Sequence, residues 1–326
     1  MPVIHFTEVI VTEVIEAIKR GLTPLWSCAI LGLLCCLSVS AQDTRSDSQY
    51  AVFVSQRGGV AELYLLDLNT RQVSQLTNSG RGHSAPALAA NARGLVYAAR
   101  EGSSYELFTA AISQAWRTRR PQLTALNRLT INTTDEVSPS LSADGSLLVF
   151  ASGDGLEFMA ASGGARQVLL PASENIRDFA PTISPDGNQV AFISNRTNTD
   201  EIWVLNRVTG ELRALTSGAQ PMGGLNWSAD GQRLAFTTGN TESKLTGVAV
   251  VEFATGAFRV VSEQGDSNPA FAPRGDRLLM TSVRDGDSEI YLLDLKGGQA
   301  TRLTYSAGLD DGAVFLPTNE MPRRLP

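Results

Sequence analysis

Apolar residues in this chain come in short clusters, rich in Val, Ile, Leu, Phe, Tyr and Trp, and each cluster is cut off by Asp, Gly, Asn, Ser or Pro. The stretch APTISPDGNQVAFISNRTNTDEIWVLNRVTGELRALT, residues 180–216, shows the pattern in full. An apolar segment after Pro turns at Asp-Gly, VAF runs back, a second turn follows, EIW runs out again, and the unit closes at LT. Short β-branched and aromatic runs punctuated in this way predict strands joined by tight turns, and they argue against helical repeats.

The same unit recurs. Aligned on its opening Pro, copies start at Pro86, Pro139, Pro181, Leu225 and Pro269. A sixth copy is split: its first segment, AVFLPTN from Ala313, superimposes on PAFAPRG from Pro269, and its remainder, AVFVSQRGGVAELYLLDL, lies near the other end of the chain. The spacings of 53, 42, 44, 44 and 44 residues, with four strand-like runs per unit, indicate propeller blades. The expected fold is all-β: a six-bladed β-propeller of four-stranded antiparallel blades, the ring closed by the C-terminal strand joining the N-terminal blade. Residues 42–319 are assigned to it and 320–326 to a flexible tail.

The first 41 residues read differently. Lys19 and Arg20 precede an apolar core from Trp26 to Leu37, and Val39 and Ala41 suit signal peptidase, so residues 1–41 are expected to be a cleaved signal peptide. The apolar run is short for a bilayer span. Cys28, Cys35 and Cys36, the three cysteines, all lie there, so the mature chain has no disulfide or thiolate chemistry. Neither Cys28 nor Cys35 sits in the setting of a lipid-modified cysteine.

Charge narrows the partners. The whole chain carries 27 basic and 33 acidic residues, and removing the leader leaves 25 against 30 with His83 as its one histidine. No long basic run exists, which argues against nucleic acid as a ligand. A soluble monomer with no membrane span after cleavage is expected.

These motifs resemble the TolB-like propeller family, whose blades carry a Pro-x-aromatic-Ser-Pro-Asp-Gly turn, an Asn-Arg-Asp-Gly-like turn and Glu-Ile-Tyr. APTISPDG, SNRTNTDEIW and SVRDGDSEIYLLDL match that pattern. The resemblance covers residues 42–319 but leaves no length for the α/β domain that precedes the propeller in that family. It implies a periplasmic, non-enzymatic protein that docks an envelope partner, such as a Pal-like lipoprotein, and needs no cofactor. The alternative it leaves open is a carbohydrate-binding or carbohydrate-cleaving propeller.

With six copies as internal controls, what recurs is scaffold. Asp144, Asp186 and Asp230 before Gly belong to turns. Glu62, Glu106, Glu157, Glu201 and Glu289 open the third strand, and Arg57, Arg196 and Arg284 close the second; a hairpin ion pair or turn contact accounts for both sets. Trp203 and Trp227 are expected to pack between blades.

Function is sought where the linkers feed the inner strands. Three residues before each Pro-aligned start stand His83, Glu136, Asp178, Met222, Asp266 and Asp310, with Asp135, Arg177 and Asp311 adjoining. Two readings stand: carboxylates capping their own linkers, or an acidic channel mouth that attracts a cation or a basic side chain of a partner. Catalysis is poorly served. A Ser-His-Asp arrangement has only His83 to draw on and no G-x-S-x-G, and one histidine cannot supply the metal-binding cluster of the oligosaccharide lyases with similar blades. No metal site is expected. A second candidate surface is the insertion SQAWRTRRPQLTA, between the third and fourth strands of the second blade, where Trp116, Arg117, Arg119 and Arg120 have the composition of a contact hot spot.

Overall fold

The computed structural model describes residues 48–89, 94–114, 121–239 and 244–317; the expected signal peptide and tail lie outside them. Among the described residues there are twenty-four strands and no helix, hence none long and apolar enough to cross a membrane. The strands form six four-stranded sheets, each an antiparallel meander. Blade 1 is β1 (Tyr50–Ser55), β2 (Glu62–Asp67) and β3 (Val73–Gln75), completed on its inner side by β24 (Asp310–Leu316). Blade 2 is β4 (His83–Leu88) to β7 (Pro121–Arg128), and blade 3 is β8 (Val137–Leu141) to β11 (Gln167–Pro171). Blades 4, 5 and 6 start with β12 (Asp178–Ile183), β16 (Pro221–Trp227) and β20 (Asp266–Phe271) and end with β15 (Leu212–Ala214), β19 (Phe258–Ser262) and β23 (Ala300–Arg302).

The split copy closes the ring as the repeat predicts. β24 pairs antiparallel with β1, setting Tyr50 opposite Leu316, Ala51 opposite Phe315 and Val52 opposite Val314. The six inner strands contact one another in the cyclic order β24, β4, β8, β12, β16, β20 and back to β24, so they stand around one axis. The second turn of each blade and the linker to the next blade share one face of the ring, which we call the mouth. The described chain both begins, at the start of β1, and ends, at the end of β24, on the opposite face.

The inner strands begin earlier than their prolines suggest, because each continues through a bulge. The register shifts between Val137 and Ser140, Phe179 and Thr182, Gly223 and Asn226, and Ser267 and Ala270 of these strands, and between Ser84 and Ala87 in blade 2. The residue before the Pro position takes positive φ: Ser138 53°, Ala180 50°, Gly224 62°, Asn268 49° and Gly312 62°. For the non-glycine cases this conformation costs about 1–2 kcal/mol each, so it persists because neighbours hold it. Asn268 N–H donates to Thr237 Oγ1 of the preceding blade at 2.9 Å, and Gly312 N–H to Thr281 Oγ1 at 3.2 Å.

The core lies between blades. The fourth residue of each second strand is a large side chain buried to at least 98%: Phe53, Tyr97, Phe150, Phe192, Phe236 and Met280. Each such burial contributes roughly 1.5–3 kcal/mol. Trp227 packs with Ala191, Ile202 and Val204 of blade 4 as well as Leu234 and Phe236 of its own blade, and Trp203 packs against Ala151 and Leu156 of blade 3. Both tryptophans are interblade packing.

Candidate functional site: the channel mouth

The carboxylates at the head of the inner strands are not free charges. In blade 1, Arg57 Nη2 donates to Asp310 Oδ2 at 2.7 Å, Arg57 Nε to Ser55 Oγ at 2.8 Å, and the Ser55 hydroxyl to Asp310 Oδ1 at 2.5 Å. Blade 6 repeats this with Arg284, Ser282 and Asp266. Blade 4 keeps only the arginine contacts: Arg196 reaches Ser194 Oγ at 3.2 Å and Asp178 Oδ2 at 2.7 Å, while Asp178 Oδ1 is buried without a partner. The local sequence cause is Ser-x-Arg at the end of the second strand: the serine stays in the ladder and the arginine folds back over the strand's aromatic. Arg57 lies 5.5 Å from the Phe53 ring centroid and Arg196 5.3 Å from that of Phe192. Blade 3 has no such arginine, and Arg166 comes instead from the third turn, reaching Glu136 at 2.7 Å and Glu157 at 2.6 Å. Glu136, Asp266 and Asp310 are fully buried.

Burial and pairing compete at these groups. Burial raises the carboxyl of Asp266, but hydrogen bonds from Ser262, Ser282 and Arg284 outweigh it and hold the group below the usual aspartate range. At Asp310 burial prevails over Ser55 and Arg57, and at Glu136 over Thr130 and Arg166, so both sit above theirs.

The third-strand glutamates have a different partner from the arginines of the second strand. Thr77, Thr130 and Thr216 donate their hydroxyls to Glu62, Glu106 and Glu201 at 2.6, 2.8 and 2.7 Å, and Thr304 does the same to Glu289. The same hydroxyl accepts the backbone N–H of the residue after the glutamate, and the carboxylate's other oxygen takes linker N–H groups such as those of Ser79 and Gly80. In these four blades the closing LT is therefore a clasp for the glutamate, whereas Glu157 of blade 3 is held by Ser152 and Arg166. Of the two readings for these sets, a hairpin ion pair or a turn contact, the ion pair between them does not form: the arginines are taken by the inner-strand aspartates and the glutamates by their own threonine clasps. The Asp-Gly turns behave as expected, with Ser142, Ser184 and Ser228 donating to Asp144, Asp186 and Asp230 at 2.6, 2.5 and 2.5 Å.

His83 takes the place of an inner-strand acid in blade 2. It is buried, stacked on Tyr97 with ring centroids 4.9 Å apart, and its Nε2 lies 2.7 Å from Ser79 Oγ and 3.2 Å from Glu62 Oε2. A catalytic triad needs the serine on one ring nitrogen and the acid on the other. Here both share Nε2, while Nδ1 is buried without a partner. Burial lowers the histidine's pKa and Glu62 restores only part of the loss. The arrangement serves the seam between blades 1 and 2.

What faces solvent at the mouth is a different set. Asp135 is exposed and accepts the Tyr105 N–H at 2.8 Å; Arg177 is exposed, pairs with Asp200 at 2.6 Å and covers Phe179. With Arg81 and Glu101, paired at 2.6 Å, they give blades 2 to 4 a polar rim. Blades 5 and 6 and the linker into β24 present Met222, Val283, Tyr305 and Leu309, exposed by 58%, 46%, 66% and 52%. Asp311 is half-buried at this side; its Oδ1 accepts from Asn268 Nδ2 at 2.8 Å and Thr281 Oγ1 at 2.7 Å. Among the described residues no arginine or lysine pairs with it.

Sequence reading missed Arg166, the clasp threonines and the apolar half of the rim. The recurrent Ser-x-Arg and LT were visible signals for the clasps; nothing in the repeat marks Tyr305 or Leu309. The insertion extends the hairpin of β6 (Ser104–Gln114) and β7, with Gln114 opposite Pro121, on the face opposite the mouth. Trp116, Arg117, Arg119 and Arg120 lie outside the described residues.

A family model described as the TolB beta propeller domain matches residues 213–321. A TolB homolog of Chlorobium chlorochromatii is 36% identical over 135 residues, which is 40% of this chain and 29% of that protein, so the match spans under a third of the relative's length. The crystal structure of TolB from Acinetobacter baumannii superposes with a TM-score of 0.66 at 18% identity, covering 83% of this chain and 67% of that one. An oligogalacturonate lyase in complex with manganese gives 0.50 at 17% identity over 75% of this chain and 85% of its own. At such identities the structural likeness is one of fold.

Proposed function

We propose that this protein is a TolB-like propeller acting as a non-enzymatic docking module of the cell envelope, secreted to the periplasm, that holds a protein partner on its mouth face. The observation that carries this reading is the contrast at the mouth. Residue types that could do chemistry, namely His83, Glu136, Asp178, Asp266 and Asp310, are consumed in buried clasps, whereas the solvent-facing rim varies from blade to blade and mixes apolar side chains with charges, as a protein contact surface does. The relatives named TolB support the family part of the reading. The sugar-cleaving alternative rests on likeness of fold alone.

The test is site-specific photocrosslinking in a periplasmic extract, with the photoreactive residue placed at Arg177 or Val60 on the mouth face or at Val208 on the opposite face. Crosslinking of the same envelope protein from both mouth positions and not from Val208 is expected. Adducts formed only from Val208, or none from either face, would overturn it.

A further inference from the structure

We propose that Asp311 and the apolar rim beside it receive a basic side chain flanked by apolar residues, presented by the docked partner; the proposal rests on the docking reading and specifies the chemistry of what docks. The other inner-strand aspartates at the mouth have arginines supplied by the fold: Asp310 by Arg57, Asp178 by Arg196 and Asp266 by Arg284. Asp311 has hydrogen-bond donors from neutral groups only, Asn268 and Thr281, and is half-exposed. Neutral donors hold the carboxylate in place without cancelling its charge, so an incoming guanidinium or ammonium meets a fixed, uncompensated anion.

Space and apolar surface are available at the same place. A Cβ built on Gly312, the next residue, or on Gly223 of blade 5 would meet no atom within 4 Å, so the chain leaves open room on both sides of the blade 6 inner strand. Met222, Val283, Tyr305 and Leu309 are all exposed on the mouth-side ends and loops of blades 5 and 6 and of the linker into β24. Asp287 adds an exposed acid in the blade 6 turn. Negative charge beside apolar area is complementary to a segment that pairs Lys or Arg with apolar neighbours. Leu316, the last residue of β24, lies on the far face.

The test uses a displayed library of random dodecapeptides selected on the full mature protein, with the enriched peptides remade synthetically and titrated by fluorescence anisotropy. Peptides with Lys or Arg next to apolar residues are expected. Their affinity should fall at least tenfold on Asp311→Asn and on the double variant Tyr305→Ser with Leu309→Ser, and stay unchanged on Val208→Ser on the face opposite the mouth. Both altered proteins carry exposed or half-exposed substitutions, and circular dichroism checks that they fold. Enrichment of acidic peptides, binding indifferent to Asp311, or no enrichment overturns the proposal. So does binding that emerges only after removal of residues 318–326, or a dimer abolished by Leu309→Ser, which would assign the rim to the chain's own tail or to a second copy. If selected peptides depend on Asp135 and Arg177 instead, mouth docking stands and this assignment alone falls.

Discussion

Replacing Asp266 by Asn separates a structural carboxylate from a recognition carboxylate within one ring. Asp266 is fully buried and accepts from Arg284 at 2.7 Å, from Gln264 N–H at 3.1 Å and from the Ser262 hydroxyl. Removing one partner of a buried ion pair costs about 3–5 kcal/mol. Arg284 keeps a 16% exposed side chain and its place over Tyr291, which lets water take up part of the loss. A destabilisation of about 2–3 kcal/mol follows, or about 4–10 °C in melting temperature for a domain of this size. Asp311→Asn removes no ion pair and keeps an oxygen for Thr281 and Asn268, so it should stay within about 0.5 kcal/mol. Thermal and urea unfolding of the two variants provide the comparison. The pH dependence carries the same sign: because the folded Asp266 sits below the unfolded value of about 3.9, its contribution is present above that value and lost as pH falls through the lower folded one. The parent should therefore lose stability more steeply below about pH 4 than Asp266→Asn does. Equal losses for the Asp266 and Asp311 variants would refute the division between clasp and site.

Truncation after Gly312 removes Ala313 to Leu316, strips β1 of its inner partner and uncovers Ala51, Val52 and Phe53; we expect a loss of more than about 5 kcal/mol or failure to fold, and an unchanged melting midpoint would contradict ring closure by β24. Buried His83 has a folded pKa below its unfolded one, so its contribution is full above about pH 6.5 and declines as pH falls, by at most about 1.4 kcal/mol per pH unit. His83→Phe, which keeps the stack on Tyr97, should flatten the stability curve between pH 7 and pH 5, measured by urea unfolding, and an unchanged slope would show that the histidine does not titrate there.

Periodicity alone carried the fold. A repeat of Pro, Asp-Gly, VAF and EIW gives four strands per unit whatever surrounds them, because turn chemistry and alternation are local, and a copy split between the ends specifies closure without any knowledge of packing. The scaffold residues were legible for the same reason: Asp144, Asp186 and Asp230 recur, and recurrence marks what every blade needs. The mouth was only half legible. The spacing found the ring of His83, Glu136, Asp178, Asp266 and Asp310, but whether a carboxylate at that level is solvated or clasped depends on an arginine eighteen residues later in the chain for Asp178 and Asp266, thirty later for Glu136, and 253 earlier for Asp310. Asp310 and Asp311 are neighbours with opposite fates, since successive side chains of a strand point to opposite sides; one meets Arg57 and the other the neutral donors of blade 6. That difference, and the gathering of Met222, Val283, Tyr305 and Leu309 on one side of the mouth, arises only when the blades are closed into a ring, because no two of those positions share a place in the repeat.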